Sequence, residues 1–257
     1  MGLLTNLTLM ESFGVDIGGS GIKGCTVDLA EGQLVGERLR VDTPQPSTPD
    51  AVYAVVADLV GQFGWEKEVG VTFPGVMKKG VAHTAANVDK SWIGTDIDVD
   101  LERLLPGGPV ETLNDADAAG LAEMRYGVGR DKDGVVLLLT FGTGIGSALF
   151  VDGVLVPNTE FGHIEVDGED GEKRASAAAK DREDLSYPRW AKRVDRYLDV
   201  LEAAVWPDLI IVGGGVSKKA HKWVPLLSTR TPVVPAELLN DAGIVGAALA
   251  AEERIGQ

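Results

Sequence analysis

The sequence predicts an α/β fold built from two related halves, and three observations carry that prediction. First, Val15-Asp16-Ile17-Gly18-Gly19-Ser20 aligns with Leu139-Thr140-Phe141-Gly142-Thr143-Gly144, each a strand running into a glycine hairpin and a returning strand. Second, apolar strands of buried type, such as Val69-Gly70-Val71-Thr72-Phe73 and Leu209-Ile210-Ile211-Val212, alternate with helical stretches. Third, 257 residues with 44% hydrophobic and 25% charged content suffice for one large or two modest globular domains.

The elements follow in order. Residues 12–18 read as a strand, 22–28 as a second and 34–41 as a third, an antiparallel meander with Gly32 in its last turn. Pro44, Pro46 and Pro49 form a stiff connector, and Thr48 or Asp50 caps a helix over 51–62. The strand at 69–73 is stopped by Pro74-Gly75. The segment 80–100, with His83, Asn87, Trp92 and Gly94, reads as irregular. Val110 and Leu113 suit a short strand, and from Ala116 a helix runs through Leu121, Ala122 and Met124. Residues 135–141 form an apolar strand, 148–151 return from it, and Asp152-Gly153 is a tight turn. After the highly charged stretch 168–184, Pro188 opens a helix to about Val205. The strand ending at Val212 leads into Gly213-Gly214-Gly215 and a helix. A last helix over 241–254 carries Gly243, Gly246, Ala247 and Ala250, small enough to pack against Ala118, Ala119 and Gly120 as a hinge. The boundaries expected on this reading are 1–113 plus 244–257 for a small domain and 114–243 for a large one, with the active-site cleft between them.

Composition excludes several functions. A net charge of −15, from 39 acidic against 24 basic residues, argues against general binding to nucleic acid or anionic membrane. The single cysteine, Cys25, allows neither a disulfide framework nor a multi-cysteine metal site. The apolar opening stretch lacks a basic start and no window reaches membrane-spanning length, so a reducing cytoplasm is expected.

The chemistry concentrates where strands hand over to turns. A glycine hairpin offers backbone N–H groups without obstructing side chains, so it can wrap phosphate oxygens. Two such hairpins facing each other would grip a polyphosphate chain from both sides. The glycines at 213–215, leading into a helix, add free amides at a positive dipole end. Asn114 and Asp115 stand at the lip between strand and helix, where such residues serve as caps as readily as they serve chemistry.

Taken together, Asp16-x-Gly18-Gly19-x-x-Ile22-Lys23, Asn114-Asp115, Gly142-Thr143-Gly144-Ile145-Gly146, Glu160-x-x-His163 and Gly213-Gly214-Gly215 resemble the sugar kinases of the ROK (repressor, open reading frame, kinase) family. The resemblance covers nearly the whole chain and implies the duplicated, two-domain actin-like ATPase fold. Glu172-Lys173-Arg174-Ala175-Ser176, Ser186-Tyr187-Pro188-Arg189-Trp190 and Trp206-Pro207-Asp208 resemble the family's branch that uses inorganic polyphosphate. What this implies is phosphorylation of glucose and mannose at the 6-hydroxyl, with polyphosphate or ATP as donor. Asp115 matches the family's general base. Asn114, Glu160, His163 and Glu172 match its sugar contacts, with Asn87 and the turn from Thr72 to Gly75 as weaker candidates. Asp16, Gly18, Gly19, Ser20, Gly21, Lys23, Thr143, Gly144 and the glycines at 213–215 would hold phosphate or nucleotide. Asp16 would hold Mg²⁺ through water. Many relatives carry a zinc site made by cysteines after the Glu-x-x-His motif; residues 166–179 hold no cysteine here, so no zinc is expected. The family also tends to form homodimers.

An acidic protein needs a local basic track to hold a polyanion. Arg189, Lys192, Arg193 and Arg196 are spaced to share one helix face, opposite Trp190, Val194, Tyr197, Leu198 and Leu201. Lys218 and Lys219 open the helix expected after the three glycines, with Lys222 a turn on. A cation there opposes the helix dipole by roughly 0.3–1 kcal/mol, a cost that a bound anion would offset. Three alternatives stay open: a repressor of the same family, which needs a DNA-binding segment ahead of the first strand where only about a dozen residues stand; an actin-like filament protein, which would lack the Glu160, His163 and Glu172 set; and a sugar kinase using ATP alone.

Overall fold

The computed structural model describes residues 10–254; the apolar opening stretch lies outside them. The chain divides into two compact units, Met1–Leu113 with Ile244–Gln257, and Asn114–Gly243.

In the first unit, β1 (Glu11–Ile17) and β2 (Ile22–Asp28) pair antiparallel across the first glycine turn. The third strand expected over 34–41 is broken into β3 (Gln33–Leu34) and β4 (Leu39–Val41), both pairing with β2. Gly36 lies in the gap at φ +85°, a conformation that interrupts an extended strand. Helix α1 (Pro49–Gln62) has Thr48 at its N-cap position and Pro49 in its first turn, although the Thr48 side chain makes no capping bond. It buries Val52, Tyr53, Val56, Leu59 and Val60, a stripe of helical period. β5 (Val69–Phe73) runs parallel to β1 and is buried throughout. The stretch expected to be irregular is substantially ordered. It contains the hairpin strands β6 (Met77–Lys78) and β7 (Val81–Ala82), a 3₁₀ turn at Lys90–Trp92 capped by the Asp89 carboxylate, and α2 (Ile97–Glu102) capped by Asp96. Trp92 is buried against Phe73 and Tyr53, and its indole N–H donates to the Ser47 carbonyl. That anchor orders the segment. β8 (Val110–Asn114) completes the sheet, whose strand order is β3-β2-β1-β5-β8 with β4 alongside β2.

The second unit opens with α3 (Asp115–Tyr126), then β9 (Val135–Phe141), β10 (Ile145–Val151) and β11 (Val154–Val156). The hairpin β12 (Glu165–Val166) and β13 (Glu169–Asp170) precedes α4 (Gly171–Ala175), α5 (Ala177–Arg182) and α6 (Tyr187–Val205). β14 (Leu209–Gly213) and β15 (Val233–Pro235) finish a sheet ordered β11-β10-β9-β14-β15. The two sheets share one plan: an antiparallel pair joined by a glycine turn, extended on one side by a short antiparallel strand and on the other by a parallel strand. β9 occupies the place of β1 and β14 that of β5, so the motif alignment is also a structural one.

The last helix is α7 (Ala242–Glu253). Within the first unit, Gly14 of β1 and Gly70 of β5 lie side by side in register. A Cβ on Gly14 would sit 1.9 Å from the Ile244 carbonyl oxygen, and one on Gly70 would sit 1.8 Å from that of Ala247. Two glycines thus let helix and sheet backbones touch. Gly120 faces Phe150 and Ala148, seating α3 on β10.

Candidate active site

In the first unit, the turn after β1 closes through the Gly18 amide bonding to the Gly21 carbonyl at 3.1 Å and the Thr43 hydroxyl to the Gly18 carbonyl at 2.5 Å. Lys23, on the returning strand, pairs with the Asp16 carboxylate at 2.8 Å, and the buried Thr72 hydroxyl donates to its other oxygen at 2.9 Å. Thr72 therefore serves Asp16. Asn87, with a left-handed backbone at φ +61°, abuts Gly19. Arg40 escaped the sequence reading: it stands opposite Lys23 on β4 and donates to the Ser20 carbonyl at 2.9 Å, adding a second cation beside the turn. The strand register would have pointed to it, had 34–41 been read as broken.

The second unit gathers the residues matched to sugar binding. Asn114 is the N-cap of α3, its side-chain oxygen accepting from the Ala116 and Asp117 amides at 2.8 and 3.1 Å. The next residue, Asp115, is exposed in the first helical turn. The cap and the exposed acid are thus adjacent residues, and the cap fixes where Asp115 stands. Glu160, His163 and Glu172 converge beside the second glycine turn. His163 Nε2 lies 3.8 Å from Glu160, and its Nδ1 lies 3.6 Å from Asp170 and 3.9 Å from Glu172. Glu172 accepts from the Ile145 amide at 3.0 Å and lies so close to Gly144 that a Cβ there would come within 2.3 Å of its carboxylate. Glycine at 144 is thus what lets the Glu172 carboxylate rest against the turn. From α6, the buried Trp190 holds α4 in place, its indole N–H donating to the Ala175 and Ser176 carbonyls.

Burial raises the Glu160 carboxyl above its ordinary range, with the His163 charge opposing and that of Glu172 adding to the shift. Asp117, absent from the sequence reading, is 1% exposed. Burial, opposed by the Asn158 amide and reinforced by the charges of Asp115 and Glu160, pushes its carboxyl up to about 7. Its Asn-Asp-x-Asp setting was the only signal available, and an acid in a first helical turn is usually a dipole partner.

The basic track is redistributed. Residues 190, 194, 197, 198 and 201 are buried, so the amphipathic reading of α6 describes that face. The four cations do not act as one row, however. Arg196 makes a forked pair with Asp167 at 2.8 and 3.1 Å, and Arg193 makes one with Glu183 at 2.5 and 3.0 Å. Arg189 and Lys192 are exposed. Arg193 opens instead into a cavity of about 520 Å³ lined with Lys173, Arg174, Arg182, Glu169 and Glu183. The helix expected at Lys218 and Lys219 is a 3₁₀ segment, Ser217–Lys222, kinked at Lys219. Gly214 turns at φ +79° and accepts from the Ser217 hydroxyl at 2.7 Å, which winds the chain too tightly for an α-helix. The helix-dipole argument for these lysines therefore fails. Two other cations lie nearby: the ammonium groups of Lys180 and Lys222 stand 4.9 and 5.8 Å from the centre of the Tyr187 ring.

The ROK family profile matches residues 12–179. A polyphosphate glucokinase of Mycobacterium tuberculosis (strain CDC 1551 / Oshkosh) is 59% identical over 243 residues, covering 95% of this chain and 92% of that protein. The crystal structure of inorganic polyphosphate/ATP-glucomannokinase from Arthrobacter sp. strain KM matches with a TM-score of 0.90 and 52% identity, over 95% of this chain and 99% of that one. A ROK family glucokinase from Streptomyces griseus, in complex with glucose and AMPPNP, matches with a TM-score of 0.81 and 25% identity, over 95% and 99%. With two sheets of one plan, the paired glycine turns and this extent of similarity, the chain belongs to the ROK family.

Proposed function

We propose that the protein transfers a phosphoryl group from inorganic polyphosphate or ATP to the 6-hydroxyl of glucose, and of mannose. The observation that carries this reading is the convergence of Glu160, His163 and Glu172 on the second glycine turn, in the unit whose first helix presents Asp115. Carboxylates and an imidazole in one exposed cluster suit a polyol, since each carboxylate can accept from two hydroxyls. Asp115 takes the proton of the 6-hydroxyl as its oxygen bonds to the terminal phosphorus. The bond from that phosphorus to the bridging oxygen breaks, and ADP or a shortened polyphosphate leaves. Asn114, the cap of α3, keeps the base in place and offers its amide to neighbouring hydroxyls. The amides of the turns at 18–21, 142–144 and 213–215, with Lys23 and Arg40, are donors for phosphate oxygens.

Among the described residues no three His, Cys, Asp or Glu side chains gather into a metal-holding group. Asp16, with one oxygen on Lys23 and the other on Thr72, fits a contact to Mg²⁺ through its water shell and not a protein cage. When bound, the ion would neutralise charge on the donor's phosphates. Among the described residues no helix is long and apolar enough to cross a membrane. The same reading has the protein acting as a cytoplasmic homodimer.

For polyphosphate, the reading assigns the chain beyond the transferred group to the cavity at Arg193 and to the lysines around Tyr187 and Lys218. Charge reversal at Arg193 and at Lys218 should therefore raise KM for polyphosphate several-fold more than KM for ATP, because only the long polymer extends past the nucleotide. Steady-state kinetics with both donors at saturating glucose measures the split. Equal losses for the two donors would remove the track and leave an ATP-type donor site.

A further inference from the structure

The second unit holds a buried acid that the roles above do not use. Asp117 lies two residues beyond Asp115 in the first turn of α3. Its backbone N–H is held by the Asn114 cap at 3.1 Å, and one carboxyl oxygen accepts from the Asn158 amide at 2.7 Å. Its other oxygen is buried with no hydrogen-bond partner. Asn158 has a left-handed backbone, φ +60°, a conformation that Asn tolerates better than most residues but that still needs holding. Two residues on stands Glu160. The flanking residues are tethered as well: Ser147 on β10 donates to the Thr159 carbonyl at 2.6 Å and accepts from the Phe161 amide at 3.0 Å. The loop carrying Glu160 is thus gripped from β10 on both sides of that residue and from α3 through Asp117. The Asp117 grip links it to the element that carries Asp115.

We propose that Asp117 is a positioning residue for sugar binding, its carboxyl holding the 158–160 backbone so that Glu160 stands at a fixed place relative to Asp115. It touches neither sugar nor donor, and it acts through Glu160. The inference rests on the glucose reading of this site. A buried acid with one unpartnered oxygen contributes poorly to stability, since an apolar side chain of similar size avoids the desolvation. Its presence is explained by the geometry it imposes.

The test compares Asp117→Leu with Asp117→Asn. Leucine fills the volume and removes the acceptor; asparagine keeps an oxygen for the Asn158 amide. The expected result is a melting temperature for D117L within a few degrees of the parent, or above it, with KM for glucose raised roughly 10–100-fold and KM for ATP within about twofold. D117N should keep KM for glucose within about threefold. A folded D117L with unchanged KM for glucose overturns the proposal, as does a D117N that loses glucose affinity as fully as D117L, or a D117L in which both KM values rise together. Glucose turnover by the parent enzyme tests the functional reading on its own, so the two ideas fail separately.

Discussion

Replacing Asp115 with Asn should lower turnover roughly 10²–10⁴-fold, a barrier increase of roughly 3–5 kcal/mol. The substitution keeps the size of the side chain and an oxygen able to accept from the Ala116 amide, which Asp115 engages at 2.9 Å. It removes the ability to take a proton. The loss of a negative charge from the first turn of α3 costs only about 0.3–1 kcal/mol of helix stability, because Asn114 remains as the cap. The melting temperature should therefore move by a few degrees at most. KM for glucose should change little, since Glu160, His163 and Glu172 are untouched. Steady-state kinetics with ATP as donor, beside a thermal melt, separates the two effects. A D115N enzyme with near-parent turnover would place the base elsewhere.

The largest expected effect on stability comes from a single methyl group. Gly70→Ala adds a Cβ 1.8 Å from the Ala247 carbonyl oxygen, and the obstacle is helix backbone, which cannot rotate away like the end of a side chain. Helix α7 would have to lift from the sheet, loosening its buried Ile244, Val245 and Ala248. The expected cost is about 3 kcal/mol or more, enough to lower the melting temperature by roughly 10 °C. Gly61→Ala is the matched control. Gly61 lies within α1, and a Cβ there meets nothing within 4 Å. That change should stabilise by about 0.5–1 kcal/mol, because alanine loses less backbone freedom on folding than glycine. Circular-dichroism melts of the two variants check the opposite signs. An unchanged melting temperature for G70A would contradict the glycine seat for α7.

How much of this was legible in the sequence depended on how local each signal is. The glycine turn after Asp16 and its counterpart after Phe141 could be read directly, because a hairpin is written in consecutive residues. The buried strands β5 and β14 were equally plain, as continuous apolar runs bounded by Pro-Gly or glycine. Asn114 and Asp115 were found because a strand pattern gives way to a helix pattern at that point. The residues around 80–100 misled because order there comes from Trp92 packing on Phe73 and Tyr53, contacts that no local pattern announces. The segment after Gly213 misled in the opposite sense, since three glycines followed by lysines resemble a helix start, while the Ser217 hydroxyl and the turn at Gly214 set a tighter winding. Arg193 and Arg196 looked alike on a helical wheel, and only their partners, Glu183 and Asp167, distinguish them. Asp117 was invisible for a related reason: its one decisive contact is to Asn158, distant in sequence.

The most direct test of the account is phosphorus NMR of the protein incubated with glucose and Mg²⁺, once with inorganic polyphosphate as the only donor and once with ATP. The account predicts glucose 6-phosphate as the new phosphomonoester in both reactions, with polyphosphate chains shortening in the first and ADP appearing in the second. Phosphate on a different hydroxyl, free phosphate with no sugar ester, or product from ATP alone would contradict it.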